Sequence, residues 1–314
     1  MDSAEMKLVM LCGGVGGARA ALALYENLAR HSLTFLVNTG DDFRHLGLEI
    51  WPDWDTVYYH LAGLNDPVRG WGRADEGTRA MEELARFGGP HWFHLGDRDL
   101  ALHVFRSWVL KEGWDRRRIA VHLAEQASLR CTVLPLTEQG TDTRIQTRDG
   151  RVMEFQQWFV KEQGGPAVER VLTRSTGQTP LTEGVLESLR EADVLLMAPS
   201  NPYLSLGPML AHPELQAVVR KLDIPRLAVS PLIGGKAVKG PLDRLIESLS
   251  DFRGQQAIAH YWAGWVDGLM LPGDEIATVP EPPLRLLEGP TLLSTPAARK
   301  EFCQALERAW EALP

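Results

Sequence analysis

Short apolar runs and a helical pattern alternate along the N-terminal part of the chain. Residues 7–12 and 33–37 are apolar runs of the length and composition that form buried parallel strands. Apolar residues between them recur at the spacing of one helix face, namely Ala21, Leu22, Leu24, Tyr25 and Leu28. The pattern therefore predicts a strand, a loop, a helix and a second strand, which is how a parallel βαβ unit begins.

The same alternation returns in the C-terminal half. A helical pattern over 185–192 precedes the apolar run 194–198, and a helix near 214–221 precedes the run 226–229. We expect these strands to join the first two in one sheet, so that both ends of the chain contribute to its core. Residues 296–313 have the amphipathic pattern of a last helix that begins at a proline.

The segment between these halves has a different character. Residues 71–128 are rich in helical spacing, and one apolar stripe contains Leu100, Ala101, Val104, Phe105 and Trp108. The runs 143–147 and 152–155 are typical of strands, and the Asp-Gly between them favours a tight hairpin turn. We predict one α/β domain over residues 1–314, with a doubly wound, Rossmann-like, mostly parallel sheet, a helical insertion at 71–128 and a small β-hairpin.

Net charge and cysteine usage narrow the class of protein. The sequence has 33 Lys and Arg against 41 Asp and Glu, a net charge of −8 that disfavours nonspecific binding to nucleic acid or anionic membrane. Cys12, Cys131 and Cys303 stand far apart without metal-ligand spacing, so neither a disulfide framework nor a zinc site is indicated. The apolar runs are too short to span a membrane. We expect a cytoplasmic protein that binds neither nucleic acid nor membrane.

Glycines cluster between the first predicted strand and the first helix. Gly13, Gly14, Gly16 and Gly17 would let backbone N–H groups approach an anion, and the helix N-terminus adds a favourable partial charge. The segment lacks the Gly-Lys-Ser/Thr of a P-loop and the spacing of the dinucleotide-binding fingerprint. It favours a phosphate-binding loop, and a tight structural turn is the alternative.

Carboxylates follow the second predicted strand and recur soon afterwards. Asp41 and Asp42 come directly after it, where an open α/β sheet binds its ligands, and Asp53 and Asp55 follow in Pro-Asp-Trp-Asp-Thr. Oxygen ligands of this kind suit Mg²⁺ bridging a diphosphate. An adjacent Asp pair alone is typical of a solvated turn, but the four residues together favour a metal or substrate site.

Three further segments place polar side chains at strand or helix ends. In Gly-Asp-Arg-Asp an aspartate is expected to cap the next helix, which leaves Arg98 for a phosphate or the edge of a heterocycle. Ser200 and Asn201 follow an apolar run and offer donors and acceptors to a nucleobase. Lys236 lies in the glycine- and lysine-containing segment 230–241, which is either a phosphate site or an ordinary surface loop.

Taken in order along the chain, these segments resemble the CofD/FbiA family, the transferases that assemble the deazaflavin coenzyme F420. The resemblance covers nearly the whole chain and rests on eight segments: 13–19, 38–42, 52–56, 69–72, 95–101, 155–156, 198–202 and 230–241. Trp51 and Trp54 stand where that family commonly has smaller residues. Their role is open between core packing and stacking on a planar ligand.

The resemblance implies a nucleotide-binding core and a Mg²⁺-dependent transferase of substituted phosphate groups. Such an enzyme moves a phosphorylated three-carbon acid from a guanosine diphosphate-linked donor to the ribityl hydroxyl of the deazaflavin Fo and releases GMP. The acid is phospholactyl, phosphoenolpyruvyl or phosphoglyceryl, and these groups differ by too little for the sequence to separate them. Relatives are commonly dimeric, so the expected partners are the two small-molecule substrates and a second copy of the chain.

The resemblance also assigns roles to residues. Asp55, Asp42 and Arg98 are the expected catalytic residues. Asp55 and Arg98 would contact Fo, with Asp55 orienting or deprotonating its hydroxyl, and Asp42 and Asp55 would hold Mg²⁺. The remaining candidates would bind phosphates and nucleotide: Gly13, Gly14, Gly16, Gly17, Ser200, Asn201 and Lys236. Because Asp55 and Arg98 are expected in polar loops, Asp55→Asn and Arg98→Ala should each abolish or severely weaken transfer and leave the fold intact.

Two other functions compete with this interpretation. A nucleotide-sugar-binding regulatory protein of the same fold would share the glycine segment and the Asp-Asp pair. The Pro-Asp-x-Asp-Thr and Gly-Asp-Arg-Asp-Leu-Ala segments favour the transferases over it. A nicotinamide-dependent oxidoreductase would rest on the Rossmann-like opening alone.

Overall fold

The protein is described by a computed structural model over residues 5–90, 92–174 and 178–313. In these ranges the strands are β1 (Lys7–Cys12), β2 (Ser32–Val37), β3 (Phe43–His45), β4 (Leu48–Ile50), β5 (Thr132–Pro135), β6 (Thr143–Thr147), β7 (Val152–Glu154), β8 (Val168–Thr173), β9 (Val194–Met197), β10 (Arg226–Val229), β11 (Leu232–Ile233), β12 (Lys236–Ala237), β13 (Gly268–Leu271) and β14 (Arg285–Glu288). The α-helices are α1 (Gly14–Asn27), α2 (Pro52–Leu61), α3 (Arg79–Arg86), α4 (Asp97–Lys111), α5 (Arg116–Gln126), α6 (Val185–Arg190), α7 (Gly207–Leu210), α8 (Pro213–Val219), α9 (Leu242–Leu249), α10 (Gly254–Trp262) and α11 (Pro296–Glu311).

The central sheet confirms the doubly wound prediction. Across the described ranges its strand order is β14-β13-β10-β9-β1-β2-β5, and every neighbouring pair is parallel. The chain starts in the middle at β1, moves outward through β2 to β5, and then returns to the other side of β1 through β9. The winding direction therefore reverses between β1 and β9, which makes that boundary the switch point of the sheet.

Helices cover both faces of this sheet. Successive side chains of a strand point to opposite faces, and in β1 Leu8 and Met10 pack in the cluster that contains α1, α2, α5 and α11. Val9 and Leu11 pack in the cluster that contains α6, α8 and α10. Because both faces are buried, β1 is a continuous apolar run rather than an alternating one.

The segment 71–128 contains α3, α4 and α5. In α4, unlike in an ordinary amphipathic helix, polar side chains are buried and part of the apolar stripe is exposed. The buried residues of α4 include His103, Arg106 and Ser107. Val104 and Trp108, which belong to the apolar stripe, are 50% and 58% exposed. The part of α4 that is buried against the rest of the protein therefore carries polar side chains as well as the apolar Val109.

The small hairpin is confirmed and is part of a larger sheet. Antiparallel β6 and β7 are joined as predicted, and β8 pairs with the other side of β6. Two shorter antiparallel pairs, β3 with β4 and β11 with β12, lie beside the main sheet. No helix in the described parts of the chain is long and apolar enough to cross a bilayer.

Candidate functional site

A cleft of about 830 Å³ opens at the carboxyl edge of the central sheet. Its wall includes Gly13 after β1, Asp41 after β2, Ser200 after β9 and Lys239 after β12, together with side chains of α2 and α4. This is the switch point, where the loops of an open α/β sheet separate and leave room for a ligand. A cleft of this size holds a drug-sized ligand or two smaller ones.

The glycine segment is shaped first by its protein neighbours. A Cβ at Gly16 would lie 2.1 Å from the carbonyl oxygen of Pro199, and one at Gly17 would lie 2.6 Å from Ser200 Oγ. These glycines allow the start of α1 to pack directly on the loop after β9. Gly13, Gly14 and Gly16 line the cleft, whereas Gly17 faces the β9 loop. Close packing in a tight structural turn, the alternative to a phosphate-binding loop, therefore explains the glycines at positions 16 and 17.

A carboxylate of the protein itself occupies one amide of this segment. Gly14 N donates to Asp53 Oδ1 at 2.6 Å. A Cβ at Gly13 would collide with the same carboxylate, at 2.2 Å from Oδ2. The Gly14 amide, which a phosphate-binding loop would offer to its ligand, is therefore already hydrogen-bonded to Asp53.

Asp41 and Asp53 form an acidic pair in the cleft wall. Asn38 Nδ2 donates to Asp53 Oδ2 at 2.9 Å and to Asp41 Oδ1 at 3.4 Å. Burial and then the charges of Asp53 and Asp42 raise the pKa of Asp41 well above its usual value. Burial raises the pKa of Asp53 to about 6, although hydrogen bonds from Asn38 and Gly14 act in the opposite direction. The two carboxylates thus share a region that favours an added positive charge.

Asp55 lines the same cleft, but not from a loop as predicted. It lies in the first turn of α2, is 5% exposed, and pairs with the fully buried guanidinium of Arg106 on α4. Arg106 Nη1 donates to Asp55 Oδ2 at 3.0 Å, and Nη2 donates to Oδ1. This two-pronged pair fixes the direction of the carboxylate and neutralises its charge.

Asp42 is directed away from the cleft, contrary to the expectation that both residues of the Asp-Asp pair face it. Its carboxylate is bound by Arg116 at the start of α5. Burial raises the pKa of Asp42 to about 7, although the Arg116 charge acts in the opposite direction. Asp41 and Asp42 lie in the turn after β2, and the two carboxylates have different surroundings, because Asp41 lines the cleft whereas Asp42 is bound by Arg116.

Trp51 connects the two arginine pairs from below the cleft. The guanidinium carbons of Arg106 and Arg116 lie 4.2 and 4.5 Å from the centre of its ring. Trp51 and Trp54 have no exposed surface. Both tryptophans therefore pack in the core and do not stack on a planar ligand in the cleft.

A polar row on α4 extends from Arg106 toward solvent. His103 Nδ1 lies 3.4 Å from Arg106 Nη1, and His103 Nε2 lies 3.5 Å from Asp99 Oδ1. Tyr59 of α2 donates to Asp99 Oδ1 at 2.5 Å. Burial tends to raise the pKa of Asp99, but His103 and the Tyr59 hydroxyl outweigh it and lower that pKa. Sequence analysis missed His103 and Arg106, although the spacing of 99, 103 and 106 places them on one helix face.

Arg98 lies outside the cleft wall, with its side chain exposed in the first turn of α4. The prediction that an aspartate of Gly-Asp-Arg-Asp caps α4 is wrong. Glu76 caps this helix, because it accepts from the backbone N–H groups of Arg98 and Asp99 at 2.8 and 2.9 Å. Asp97 instead accepts from Ala80 N at the start of α3. Glu76, which precedes α3, thus caps the start of α4, and Asp97 of α4 caps the start of α3. Gly-Asp-Arg-Asp is therefore a helix-capping segment with an exposed arginine.

Ser200 and Asn201 line the cleft while holding its backbone. Ser200 Oγ accepts from Gly13 N at 3.1 Å and donates to Gly13 O at 2.7 Å. Asn201 Oδ1 accepts from the N–H groups of Tyr203 and Leu204. Ser200 therefore joins the loops on both sides of the switch point, and the Asn201 carbonyl is used to begin a π-helical turn.

The lysine that reaches the cleft is Lys239 rather than Lys236. Lys236 is exposed on β12 outside the cleft wall, whereas Lys239 lines it. The amides of Gly234 and Gly235 donate to the buried Glu275 at 2.7 and 2.9 Å. These glycine amides are thus satisfied by an internal carboxylate instead of a phosphate.

The acidic pair offers a better set of Mg²⁺ ligands than Asp42 with Asp55. Asp42 and Asp55 are each neutralised by an arginine, and Asp42 lies outside the cleft. Among the described residues no cluster of three or more His, Cys, Asp or Glu side chains is arranged around a metal position. Mg²⁺ needs only one or two protein carboxylates when substrate phosphates and waters complete its shell. Asp41 and Asp53 fit that requirement.

The fold is that of a Rossmann-like α/β protein, and its cleft opens at the switch point of the sheet. A family model described as "2-phospho-L-lactate transferase CofD" matches residues 8–278. The chain belongs to the CofD family.

Curated relatives agree with this assignment, and a solved structure shares the fold. The phosphoenolpyruvate transferase of Mycobacterium marinum is 36% identical over 323 residues, which cover 96% of this chain and 97% of the relative. That of Streptomyces coelicolor is 35% identical over 271 residues, which cover 85% of each. Protein BH3568 of Bacillus halodurans shares the fold, with a TM-score of 0.62 at 16% identity over 90% of this chain and 92% of that one.

Proposed function

We propose that this protein transfers a phosphorylated three-carbon acid from a guanosine diphosphate-linked donor to the terminal ribityl hydroxyl of Fo. GMP is the leaving group. The observation that carries the proposal is the cleft in which the switch-point loops, an acidic pair and an arginine-held aspartate meet in a CofD-family chain. The names of the curated relatives support phosphoenolpyruvate as the three-carbon acid.

In this proposal the reaction is a displacement at phosphorus. The Fo hydroxyl forms an O–P bond to the phosphorus that carries the acid, and the bond from that phosphorus to the GMP oxygen breaks. Asp55 accepts a hydrogen bond from the hydroxyl and orients it, because its carboxylate is held in one direction by Arg106. The hydroxyl proton leaves toward Asp55, and GMP departs with the negative charge.

Mg²⁺ is assigned to Asp41 and Asp53 in place of Asp42 and Asp55. When bound, the ion neutralises charge on the diphosphate as the leaving group separates. Asp42 then has the supporting role of pairing with Arg116, which lies against the same Trp51 ring as Arg106.

Aromatic side chains in the cleft wall suit the planar ring system of Fo. The wall includes Trp71, Trp92, Phe93, Phe155 and Phe159. Rings of this kind bind planar heterocycles by stacking and edge contacts. Arg98 keeps its proposed contact with Fo from the exposed first turn of α4, beside Asp99 in the wall.

The test is a transfer assay with purified protein, Fo, Mg²⁺ and three guanosine diphosphate-linked donors that carry phosphoenolpyruvate, phospholactate or phosphoglycerate. We expect GMP and a mass-identified phosphodiester of Fo, formed fastest from the phosphoenolpyruvyl donor. Binding of a nucleotide sugar without GMP or product from any donor would favour the regulatory-protein alternative.

A further inference from the structure

The buried ring of Trp51 contacts two charged side chains. The guanidinium carbons of Arg106 and Arg116 lie 4.2 and 4.5 Å from its centre, and all three residues are buried. Trp51 Nε1 makes no hydrogen bond to the described residues, although a buried indole usually has a partner for its N–H. The two guanidiniums are therefore the polar contacts of this ring.

The two arginines come from different helices, and each binds one aspartate. Arg106 of α4 pairs with Asp55, and Arg116 at the start of α5 pairs with Asp42. Two positive and two negative charges are thus buried around one indole. Because a cation is attracted to an aromatic face more strongly when both are shielded from water, Trp51 stabilises the positions of both guanidiniums.

Trp51 acts on Asp55 in two ways. Its ring contacts Arg106, whose Nη1 donates to Asp55 Oδ2 at 3.0 Å, so the direction of the carboxylate depends on where the ring holds the guanidinium. Its carbonyl oxygen accepts from Asp55 N at 2.9 Å in the first turn of α2. One residue outside the cleft wall therefore fixes both the main chain and the side chain of an aspartate inside it.

We propose that Trp51 is a positioning residue, which holds Arg106 and Arg116 on its ring and thereby directs the Asp55 carboxylate into the cleft. That this direction serves the transfer to Fo rests on the proposed function, whereas the hold on the guanidiniums rests on the ring contacts alone. Because Trp51 lies outside the cleft wall, it acts through other residues. Its loss should therefore lower turnover and leave substrate binding nearly unchanged.

Steady-state kinetics of the Fo transfer test the effect on turnover. We expect Trp51→Leu to lower kcat at least about tenfold, because a misdirected carboxylate no longer orients the hydroxyl, and to change KM for either substrate less than about twofold. Trp51→Met, which fills more of the volume without a ring, should behave in the same way, and Trp51→Phe, which keeps an aromatic face, should recover part of kcat. Trp262→Leu is the matched control, since Trp262 is equally buried but packs on the other face of the sheet, and its kcat should equal that of wild type.

Urea unfolding tests the hold on Arg106 without an activity assay. Trp51→Leu should lower the unfolding midpoint less in the double variant Asp55→Leu with Arg106→Met than in wild type, because the guanidinium is already absent there. Trp262→Leu should lower it equally in both proteins, since distant sites are additive.

The outcomes separate this role from the proposed function. Equal midpoint shifts for Trp51→Leu in the two proteins overturn the hold on Arg106. Wild-type kcat in Trp51→Leu and Trp51→Met, a change confined to KM, or an equal loss of kcat in Trp262→Leu overturns the positioning role. If the midpoints follow the expectation but wild type forms no Fo product, the hold on Arg106 stands and the proposed transfer fails.

Discussion

The charge of Arg106 is fully buried, and the Asp55 carboxylate balances it. Breaking a buried ion pair from one side leaves an uncompensated charge, which typically costs about 3–5 kcal/mol of stability. The expectation that Asp55 can be replaced without structural consequence was drawn from a loop that the structure shows to be a helix. Activity and stability are therefore coupled at this residue.

We predict that Asp55→Asn abolishes transfer and lowers the free energy of unfolding by about 3 kcal/mol. The double variant Asp55→Leu with Arg106→Met removes both charges, so it should recover much of the stability and none of the activity. Urea unfolding and the Fo transfer assay measure the two effects. A fully stable Asp55→Asn protein would contradict the structural half of this prediction.

Local sequence patterns located some residues of the cleft wall and missed others. Gly13, Gly14 and Ser200, which the sequence predicts to bind phosphate or nucleotide, line the cleft, because strand ends at a switch point lie at the ligand-binding edge of such a sheet. Lys236 was chosen over Lys239 although both belong to one short loop. The choice depended on how β11 and β12 turn, and a two-residue strand pair leaves little trace in the hydrophobic pattern.

At the scale of elements, one buried carboxylate organises the loop that carries Lys239. Glu275 lies in the 3₁₀ turn Gly273–Thr278 and accepts from the N–H groups of Gly234 and Gly235 and from Gln255 Nε2. Gln255 in turn accepts from Ser230 Oγ at 2.5 Å. The loop after β10 is thus tied to the segment after β13 through charge-assisted hydrogen bonds.

We predict that Glu275→Gln lowers the free energy of unfolding by about 1–3 kcal/mol and weakens GDP binding, because it removes the charge that the two glycine amides share. The exposed neighbour Asp274 supplies the control, and Asp274→Asn should leave both quantities unchanged. Urea unfolding and calorimetry measure them. Wild-type stability in Glu275→Gln would show that the amides bind equally well to a neutral acceptor.

Helix α4 shows why element-level patterns mislead near a functional site. Hydrophobic periodicity identified its apolar stripe, but the side buried in the protein carries His103 and Arg106. Periodicity reports where apolar side chains lie on a helix, not which surface meets the rest of the fold. A polar face is buried only when its partners, here Asp55 and Tyr59 on α2, are brought to it by the tertiary structure.

At the scale of the whole molecule, the exposed side of α4 offers a surface for association. Val104 is 50% and Trp108 58% exposed there, and Val121 on α5 is 38% exposed. Exposed apolar groups of this kind mark contact surfaces when they are contiguous. We propose this surface as the contact of the expected homodimer.

We predict that Trp108→Glu shifts a dimer toward monomer in sedimentation velocity, because the new charge would be buried in the contact. Phe87→Glu is the matched control, since Phe87 is 84% exposed next to α3 and should leave the sedimentation unchanged. A wild-type chain that sediments as a monomer would remove the proposed dimer. A dimer unaffected by Trp108→Glu would place its contact elsewhere.

The buried histidine His60 makes stability depend on pH. Burial lowers the pKa of His60, so the folded state binds fewer protons there than the unfolded state, whose value is near 6.5. Its contribution to stability is therefore present above that pH and is lost as the pH falls. Asp41, Asp42 and Asp53, whose pKa values are raised, act in the opposite sense.

We predict that the stability difference between wild type and His60→Gln depends on pH. The free energy of unfolding of wild type relative to the variant should fall by about 1 kcal/mol between pH 7.5 and 5.5. Comparing the two proteins in urea at both pH values cancels the opposing carboxylates, which are common to them. A difference that stays constant would mean that His60 is protonated equally in the folded and unfolded states.

The sequence by itself determined the parallel sheet, its central strands and the hairpin, because burial on both faces leaves continuous apolar runs and turns have local signatures. The outer strands β13 and β14 were not identified, and neither were the partners of the site. Only the tertiary structure decided that Asp55 faces Arg106, that Asp42 faces Arg116 and that Lys239 approaches Arg19. Each of these contacts joins residues from different elements, and the physical cause is the packing of those elements, which a local pattern does not encode.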